Sequence, residues 1–172
     1  MDRTEELRTF VAARGAALSR TAYLLTGHRQ AAEDLVQETY VEMVRRWGRI
    51  DAANPEPYVR RIMYSRFVDG WRRRRIVELP TAELLDRSDL EVAQDGVAER
   101  VTLHEALGRL TDRQRAFVVL RYYEDLTEVQ TAAALGVSTS TVKSQVRVAL
   151  DRLRTLCPDL LLDDEVPEGV SE

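Results

Sequence analysis

The side chains best suited to binding chemistry lie on one predicted helix face near the C-terminus. They combine hydroxyl groups with one ammonium and one guanidinium group: Ser138, Thr139, Thr141, Lys143, Ser144 and Arg147. Arginine forms paired hydrogen bonds with guanine, while lysine and hydroxyl groups hold phosphates or base edges. This face therefore predicts contact with double-stranded DNA. An ordinary solvated helix face gives the same pattern, and that alternative stays open.

Two short helices and a tight turn would position this face. Thr127 and Gln130 have the spacing of a capping box, and Gly136 suits the left-handed conformation that ends a helix. Ser138 or Thr139 can cap the second helix. The second helix has an apolar stripe made of Val142, Val146, Ala149, Leu150 and Leu153. Such a pair predicts a helix-turn-helix unit, whose second helix enters the major groove.

A second binding pattern combines aromatic rings with arginines over residues 58–75, YVRRIMYSRFVDGWRRRR. Asn54, as an N-cap before a proline, predicts where this helix begins. Tyr64, Phe67 and Trp71 share one face at helical spacing, and arginines surround them. Unpaired bases stack on such rings while guanidinium groups hold phosphates, which favours single-stranded DNA. The alternative, left open, is that the rings are core residues and the arginines form a solvated helix end.

Two more helices are predicted before this one, over Thr4–Thr26 and Ala31–Trp47, because apolar residues recur there at helical spacing. One side of the second helix is polar, and it is either ordinary surface or a docking surface for a large partner. The residues on that side are Asp34, Gln37, Glu38, Val41 and Arg45. Further helices are predicted from Val97 to Leu107 and from a capping box at Thr111 and Gln114.

The predicted fold is all-α, with two small helical domains joined by a flexible acidic linker. The predicted domains are residues 1–75 and 97–157, with the linker at 76–96 and a disordered tail at 158–172. Residues 76–100 carry seven acids and two arginines, and the tail carries six acids and no base, although the whole chain has a net charge of only −4. Two basic blocks are therefore bordered by acidic segments, which are predicted to weaken DNA binding by the free chain.

The composition argues against several functional classes. No apolar run is long enough to span a membrane, and the start MDRTEELRTF lacks the features of a signal peptide, so we expect a cytoplasmic protein. A single cysteine, Cys157, excludes an intrachain disulfide, and with only two histidines there is no zinc-type cluster. No nucleophile, base and acid fall into a catalytic pattern. We therefore predict neither a cofactor nor an enzymatic activity.

In this order, the segments resemble bacterial RNA polymerase sigma factors of the extracytoplasmic-function group in the sigma-70 family, in a form similar to actinobacterial members. Residues 31–47, AAEDLVQETYVEMVRRW, look like the polymerase-docking helix of region 2. Residues 55–75, PEPYVRRIMYSRFVDGWRRRR, look like the helix for promoter melting and the −10 element. Residues 107–154 are similar to region 4, which reads the −35 element. The joint occurrence is more specific than any one segment.

The resemblance implies roles for individual residues. Asp34, Gln37 and Glu38 match an Asp-x-x-Gln-Glu core and, with Val41 and Arg45, would meet the polymerase clamp helices. Arg61, Asp69, Arg72 and Arg73 match the region 2 pattern, while Ser65 stands where many members have asparagine. The predicted region 2 set for DNA is Arg60, Arg61, Tyr64, Ser65, Trp71, Arg72 and Arg73. The region 4 set is the six polar residues of the recognition helix: Ser138, Thr139, Thr141, Lys143, Ser144 and Arg147.

The implied function is that of an alternative sigma factor, which binds core RNA polymerase, directs it to specific promoters and helps to open the DNA. The implied partners are core polymerase and promoter DNA, as an upstream duplex and a melted downstream element, and an anti-sigma factor is a further candidate. No membrane insertion is expected. One alternative is a stand-alone helix-turn-helix regulator, which would bind palindromic sites as a dimer without polymerase. A helical adaptor and a nucleic-acid enzyme are the other two.

Overall fold

The computed structural model describes residues 3–50, 54–77 and 102–157, and every regular element among them is helical. The N-terminal domain contains α1 (Arg3–Thr26), α2 (Arg29–Arg46), a 3-10 turn (Trp47–Arg49) and α3 (Glu56–Val77). The C-terminal domain contains α4 (Leu103–Gly108), α5 (Asp112–Val118), a π-helical turn (Val119–Tyr123), α6 (Glu128–Leu135) and α7 (Thr139–Leu156). The all-α prediction is confirmed. The predicted linker beyond Val77 and the predicted tail lie outside the described residues.

The N-terminal domain forms because three helices each bury one apolar face. Helix α2 packs against both α1 and α3, and the core between them includes Leu18, Leu25, Met43 and Met63. Helix α1 ends at Gly27, whose φ of 72° lies in the left-handed region that glycine reaches without steric cost. The predicted first helix and its glycine stop are therefore confirmed. None of the described helices is long and apolar enough to cross a membrane.

Helix α3 was predicted over residues 58–75, and its start differs from the prediction. It begins at Glu56, so Pro55 rather than Asn54 precedes it, and the Pro55 carbonyl accepts a hydrogen bond from the Val59 N–H at 3.0 Å. Gly70 lies inside the helix and does not break it, although glycine lowers helix stability by about 1 kcal/mol relative to alanine. Packing of α3 on α2 and on the C-terminal domain helps to offset that cost, and Phe67, three residues before Gly70, is buried.

Local hydrogen bonds set the helix starts in the C-terminal domain. Capping boxes are formed by three pairs: Thr102 with Glu105, Thr111 with Gln114, and Thr127 with Gln130. The last two were predicted, whereas the first was missed because a helix was expected from Val97, which lies outside the described residues. Gly136 has a φ of 65°, and the Ser138 hydroxyl accepts a hydrogen bond from the Thr141 N–H at 3.2 Å. The predicted helix-turn-helix unit is confirmed as α6 and α7.

The two domains pack against each other. Helix α1 contacts α5 and the π-helical turn, and α3 contacts α6. The buried apolar residues of both domains form one continuous cluster. A cleft between Phe67 and Trp71 on α3 and Phe117 and Leu135 of the C-terminal domain holds only about 10 Å³, which is about the volume one water needs. The aromatic face of α3 is therefore covered by the C-terminal domain.

Candidate polymerase and DNA interfaces

The polar face of α7 is open to solvent. Val142, Ala149 and Leu153 are buried against the rest of the domain, which leaves Lys143, Ser144 and Arg147 exposed on the other side of the helix. The predicted residues at the helix start have a structural part as well. The Ser138 hydroxyl caps the helix and lies 2.9 Å from the Thr141 hydroxyl, while Thr139 is exposed. The Ser144 hydroxyl donates to the Thr141 carbonyl at 3.0 Å.

A groove of about 270 Å³ runs beside this face. Its apolar residues are Val142, Val146 and Leu150. Its polar residues are Arg121, Tyr122, Glu128, Lys143, Arg147 and Arg154. Four cations against one carboxylate favour binding of phosphate groups. The Lys143 ammonium lies 3.5 Å from the Glu128 carboxylate, and the two side chains are 67% and 40% exposed.

Sequence reasoning missed Arg121, Tyr122 and Arg154 in this groove. Arg154 follows Arg147 by seven residues on the same helix, so the helical period contained a signal that pointed to it. Arg121 and Tyr122 lie in the π-helical turn after α5, and only the tertiary fold brings them beside α7. Arg121 also donates a hydrogen bond to the Leu126 carbonyl, which fixes the chain just before α6.

The residues predicted on α3 divide into two groups. Arg61, Ser65, Arg72 and Arg73 are exposed, as is Asp69, which matched the same family pattern. Tyr64 is buried, and Arg60 and Trp71 are partly buried at the contact with the C-terminal domain. The Arg113 guanidinium of that domain lies 5.7 Å from the centre of the Trp71 ring. In this arrangement, only the exposed group faces solvent, and within it the Arg72 guanidinium also lies close to Gly136 of the C-terminal domain.

Glu124 is the polar centre of the contact between the domains. Its side chain is only 3% exposed, and both of its carboxylate oxygens are bonded to the N-terminal domain. One oxygen accepts a hydrogen bond from the Thr21 hydroxyl at 2.6 Å. The other accepts from the Tyr64 hydroxyl at 2.5 Å and from the Arg60 guanidinium. Burial and the neighbouring Glu124 carboxylate raise the pKa of the Tyr64 hydroxyl, so the tyrosine stays protonated as the donor.

Arg115 makes the second buried polar contact between the domains. Its guanidinium group donates to the Leu25 and Thr26 carbonyls at 3.0 and 2.9 Å, at the end of α1. Within its own domain it also bonds Asp112 at 2.5 Å. A Cβ atom on Gly27 would lie 3.0 Å from the centre of this group, so Gly27 is required by the close approach as well as by its φ. The arginine thereby satisfies carbonyls that the end of α1 leaves unpaired.

Every predicted docking residue on α2 is exposed: Asp34, Gln37, Glu38, Val41 and Arg45. Val44, which was not predicted, belongs to the same surface, since Val41 and Val44 are 51% and 57% exposed. Two outward valines among polar side chains suit a protein interface. On the inner side of α2, burial disfavours ionisation of Glu42, but a hydrogen bond from Arg46 and the charges of Arg46 and Arg66 outweigh it and lower the pKa of Glu42.

One of the two histidines and the single cysteine have clear surroundings. His104 has a partner, which sequence reasoning did not foresee, because Tyr23 is distant in the chain. The two rings stack with centres 4.5 Å apart, and the Tyr23 hydroxyl lies 2.8 Å from Nε2 of His104. Cys157 is buried at the end of α7, and burial raises the pKa of its thiol.

Comparison with known proteins agrees with this arrangement. Residues 10–76 match the family model for sigma-70 region 2, and residues 106–155 match the model for sigma-70, region 4. The RNA polymerase sigma-E factor of Streptomyces avermitilis is 39% identical over 150 residues, which cover 87% of this chain and 83% of that protein. The ECF RNA polymerase sigma factor SigK of Mycobacterium tuberculosis is 34% identical over 138 residues, covering 75% and 73%.

A solved structure supports the same family. The co-crystal structure of the sigma factor RpoE with the anti-sigma factor NepR from Bartonella quintana superposes with a TM-score of 0.62 at 25% identity, covering 91% of this chain and 98% of that one. Proteins of this kind are transcription initiation factors and not enzymes. The chain therefore belongs to the sigma-70 family, in the extracytoplasmic-function group, and is an alternative sigma factor that directs RNA polymerase to promoters.

Proposed function

We propose that α2 docks core polymerase and that α7 and α3 contact the promoter at two separate places. The observation that carries this proposal is the exposure of Lys143, Ser144 and Arg147 beside a groove with four cationic side chains. These three side chains lie within about one helical turn of each other, so they can meet adjacent base pairs of the upstream element. The outward face of α2 is free for a large partner, since its two exposed valines lie among the predicted polar docking residues.

Helix α3 supplies the second contact in this proposal. Its exposed side chains Arg61, Ser65, Arg72 and Arg73 would hold the displaced strand once the duplex opens, while Arg60, Tyr64 and Trp71 would join them only after the C-terminal domain moves away. The proposed domains are residues 1–75 and 97–157, with the acidic segments 76–96 and 158–172 outside them. Such a protein acts in the cytoplasm, and an anti-sigma factor, as in the Bartonella complex, is a proposed further partner.

The test is run-off transcription with core polymerase on a duplex promoter and on the same promoter premelted around the start site. Arg147→Ala should reduce recruitment to the duplex about tenfold, because a bidentate contact with guanine is worth roughly 1–3 kcal/mol. It should also relax the preference at one upstream position and lose little on the premelted template. Arg152→Ala, on the same helix, is the matched control. Unchanged upstream preference would show that α7 presents a different face to DNA.

The docking surface is tested in the same assay by Gln37→Ala combined with Glu38→Lys. This variant should fail on both templates and should not co-purify with core polymerase. Its fold should be kept, because exposed substitutions usually change stability by less than about 0.5 kcal/mol. Glu5→Lys, an exposed charge reversal on α1, is the control. Normal co-purification of the α2 variant would place the docking surface elsewhere.

A further inference from the structure

We propose that Glu124 is a latch that holds the two domains closed and withholds Arg60 and Tyr64 of α3 from DNA until the domains separate. The latch consists of Glu124 in the C-terminal domain and its three partners in the N-terminal domain, Thr21, Arg60 and Tyr64. The inference rests on the proposed contact of α3 with unpaired DNA, and it adds that this contact is regulated within the chain itself.

Glu124 carries a buried charge that needs partners. A carboxylate at 3% exposure is stable only when its lost hydration is replaced by charged and hydrogen-bonding partners. Every side-chain partner that the described structure gives Glu124 lies in the other domain. Closure thus satisfies both oxygens at once, and separation leaves the carboxylate to water. The hydrogen bonds from Thr21 on α1 and from Arg60 and Tyr64 on α3 therefore form only when the helix-turn-helix unit is packed against the N-terminal domain.

Glu124 also competes with DNA for the donors on α3. A guanidinium group and a phenol hydroxyl are also the donors that bind a phosphate oxygen of DNA. In the closed form Glu124 occupies the Tyr64 hydroxyl and Nη1 of Arg60, while Glu56 of the same helix holds Nε and Nη2 of Arg60. The Glu124 carboxylate therefore acts on α3 as a resident anion in place of a phosphate. Binding of a DNA phosphate to Arg60 and Tyr64 and closure by Glu124 exclude each other. A DNA strand that binds only the open form therefore shifts the equilibrium between the closed and open forms toward the open form.

The other ion pair between the domains, among the described residues, is weaker. Arg74 lies 3.5 Å from Asp112, but these side chains are 55% and 40% exposed, and pairs in such surroundings contribute little because water and salt screen them. The stacked pair of Tyr23 and His104 is exposed as well. Arg115 bonds backbone carbonyls and takes no DNA-binding group out of use. Among the described residues, Glu124 is thus the anion that both joins the two domains and binds the proposed DNA-binding side chains Arg60 and Tyr64.

The test compares two full-length variants. Glu124→Gln keeps the shape of the side chain and removes its charge. Asp125→Asn removes a charge from the exposed neighbour, and asparagine tolerates the φ of 52° at that position, so it is the matched control. The measurements are the radius of gyration from small-angle X-ray scattering, amide hydrogen exchange in α3, and the affinity for a short fluorescein-labelled oligodeoxythymidine.

Glu124→Gln should enlarge the radius of gyration, speed exchange in α3 and raise oligonucleotide affinity about tenfold, because hydrogen bonds to a charged group are lost. Thr21→Val, which removes one donor outside the DNA-binding set, should act in the same direction more weakly. It also carries the test if Glu124→Gln does not fold. Unchanged scattering and exchange in the folded variants would overturn the latch. Opening without a gain in oligonucleotide affinity would instead refute the proposed DNA contact of Arg60 and Tyr64 and leave the closing contact in place.

Discussion

Two glutamates at the start of the helix-turn-helix unit are paired with cations that the sequence predicts to contact DNA, yet their surroundings differ. Glu124 binds Arg60 of α3 with its side chain only 3% exposed, and the arginine is 24% exposed. Glu128, four residues later, lies 3.5 Å from Lys143 of α7, and these side chains are 40% and 67% exposed. The same chemical pairing is a buried contact between domains in one case and a surface ion pair in the other.

The difference separates the two surfaces that we propose to contact DNA. Exposed ion pairs are worth roughly 0–1 kcal/mol, so Glu128 leaves Lys143 available to a phosphate. Breaking a buried pair by removing one partner costs about 3–5 kcal/mol, so Glu124 keeps Arg60 out of reach while the domains stay closed. The closed chain therefore leaves the proposed duplex-binding face of α7 exposed and conceals the aromatic side of α3. This order suits a protein that must first locate a promoter and only later hold unpaired bases.

The largest effect is expected from Arg115→Met, which removes the second buried polar contact between the domains. The substitution removes a buried charge and leaves the Leu25 and Thr26 carbonyls without their donor. We expect the free energy of unfolding to fall by roughly 3 kcal/mol. Urea denaturation followed by circular dichroism measures it, with Arg154→Met on the exposed side of α7 as the control. Equal stability of the two variants would contradict the contacts of Arg115.

The contrast between local and distant partners also explains how much of the structure the sequence predicted. The helix-turn-helix unit was predictable because its signals are local: Thr127 and Gln130 are three residues apart, and Gly136 ends α6 by its own backbone preference. The latch was not, because Thr21 and Glu124 are 103 positions apart. In the sequence, Glu124 was only part of a turn before α6, and no periodic pattern links it to Arg60.

The aromatic pattern of α3 shows why composition could not decide its role. Rings at helical spacing among arginines fit base stacking and core packing equally well, and the sequence left both readings open. The structure buries Tyr64 and Phe67 against the C-terminal domain and leaves Arg61, Ser65, Arg72 and Arg73 outside. Both readings therefore apply to one helix, on different faces. The packing of the C-terminal domain, and not the spacing of the residues, determines which face of α3 is covered.

An intermediate effect is expected from Trp71→Ala, because Trp71 lies between the covered and the exposed faces of α3. The ring is partly buried, faces Arg113 and lines the cleft beside Phe67. Truncating a fully buried tryptophan costs about 3–5 kcal/mol, so a partly buried one should cost about 2 kcal/mol. Thermal unfolding measures the loss, and transcription from duplex and premelted promoters measures function. Impaired opening that the premelted template rescues would indicate contact with DNA, whereas equal activity of the folded variant on both would restrict Trp71 to packing.

The smallest effect is expected from Glu128→Gln, which tests the exposed pair. The Glu128 carboxylate lies in the first turn of α6, where its charge interacts favourably with the helix dipole. The dipole interaction and the exposed ion pair are both weak, so the loss of stability should stay below about 1 kcal/mol. Affinity for a promoter duplex should rise roughly threefold at low salt, because Lys143 loses a competing anion, and the gain should shrink as salt screens it. Fluorescence anisotropy at two salt concentrations measures this change in affinity.

In a Lys143→Met background, the Glu128→Gln substitution should have little effect, since the pair is already broken. A gain that persists there would assign the effect of Glu128 to Arg121 or Arg147 across the groove. A loss of stability as large as that of Arg115→Met would show that the exposed pair is not weak, and the contrast with Glu124 would then be wrong.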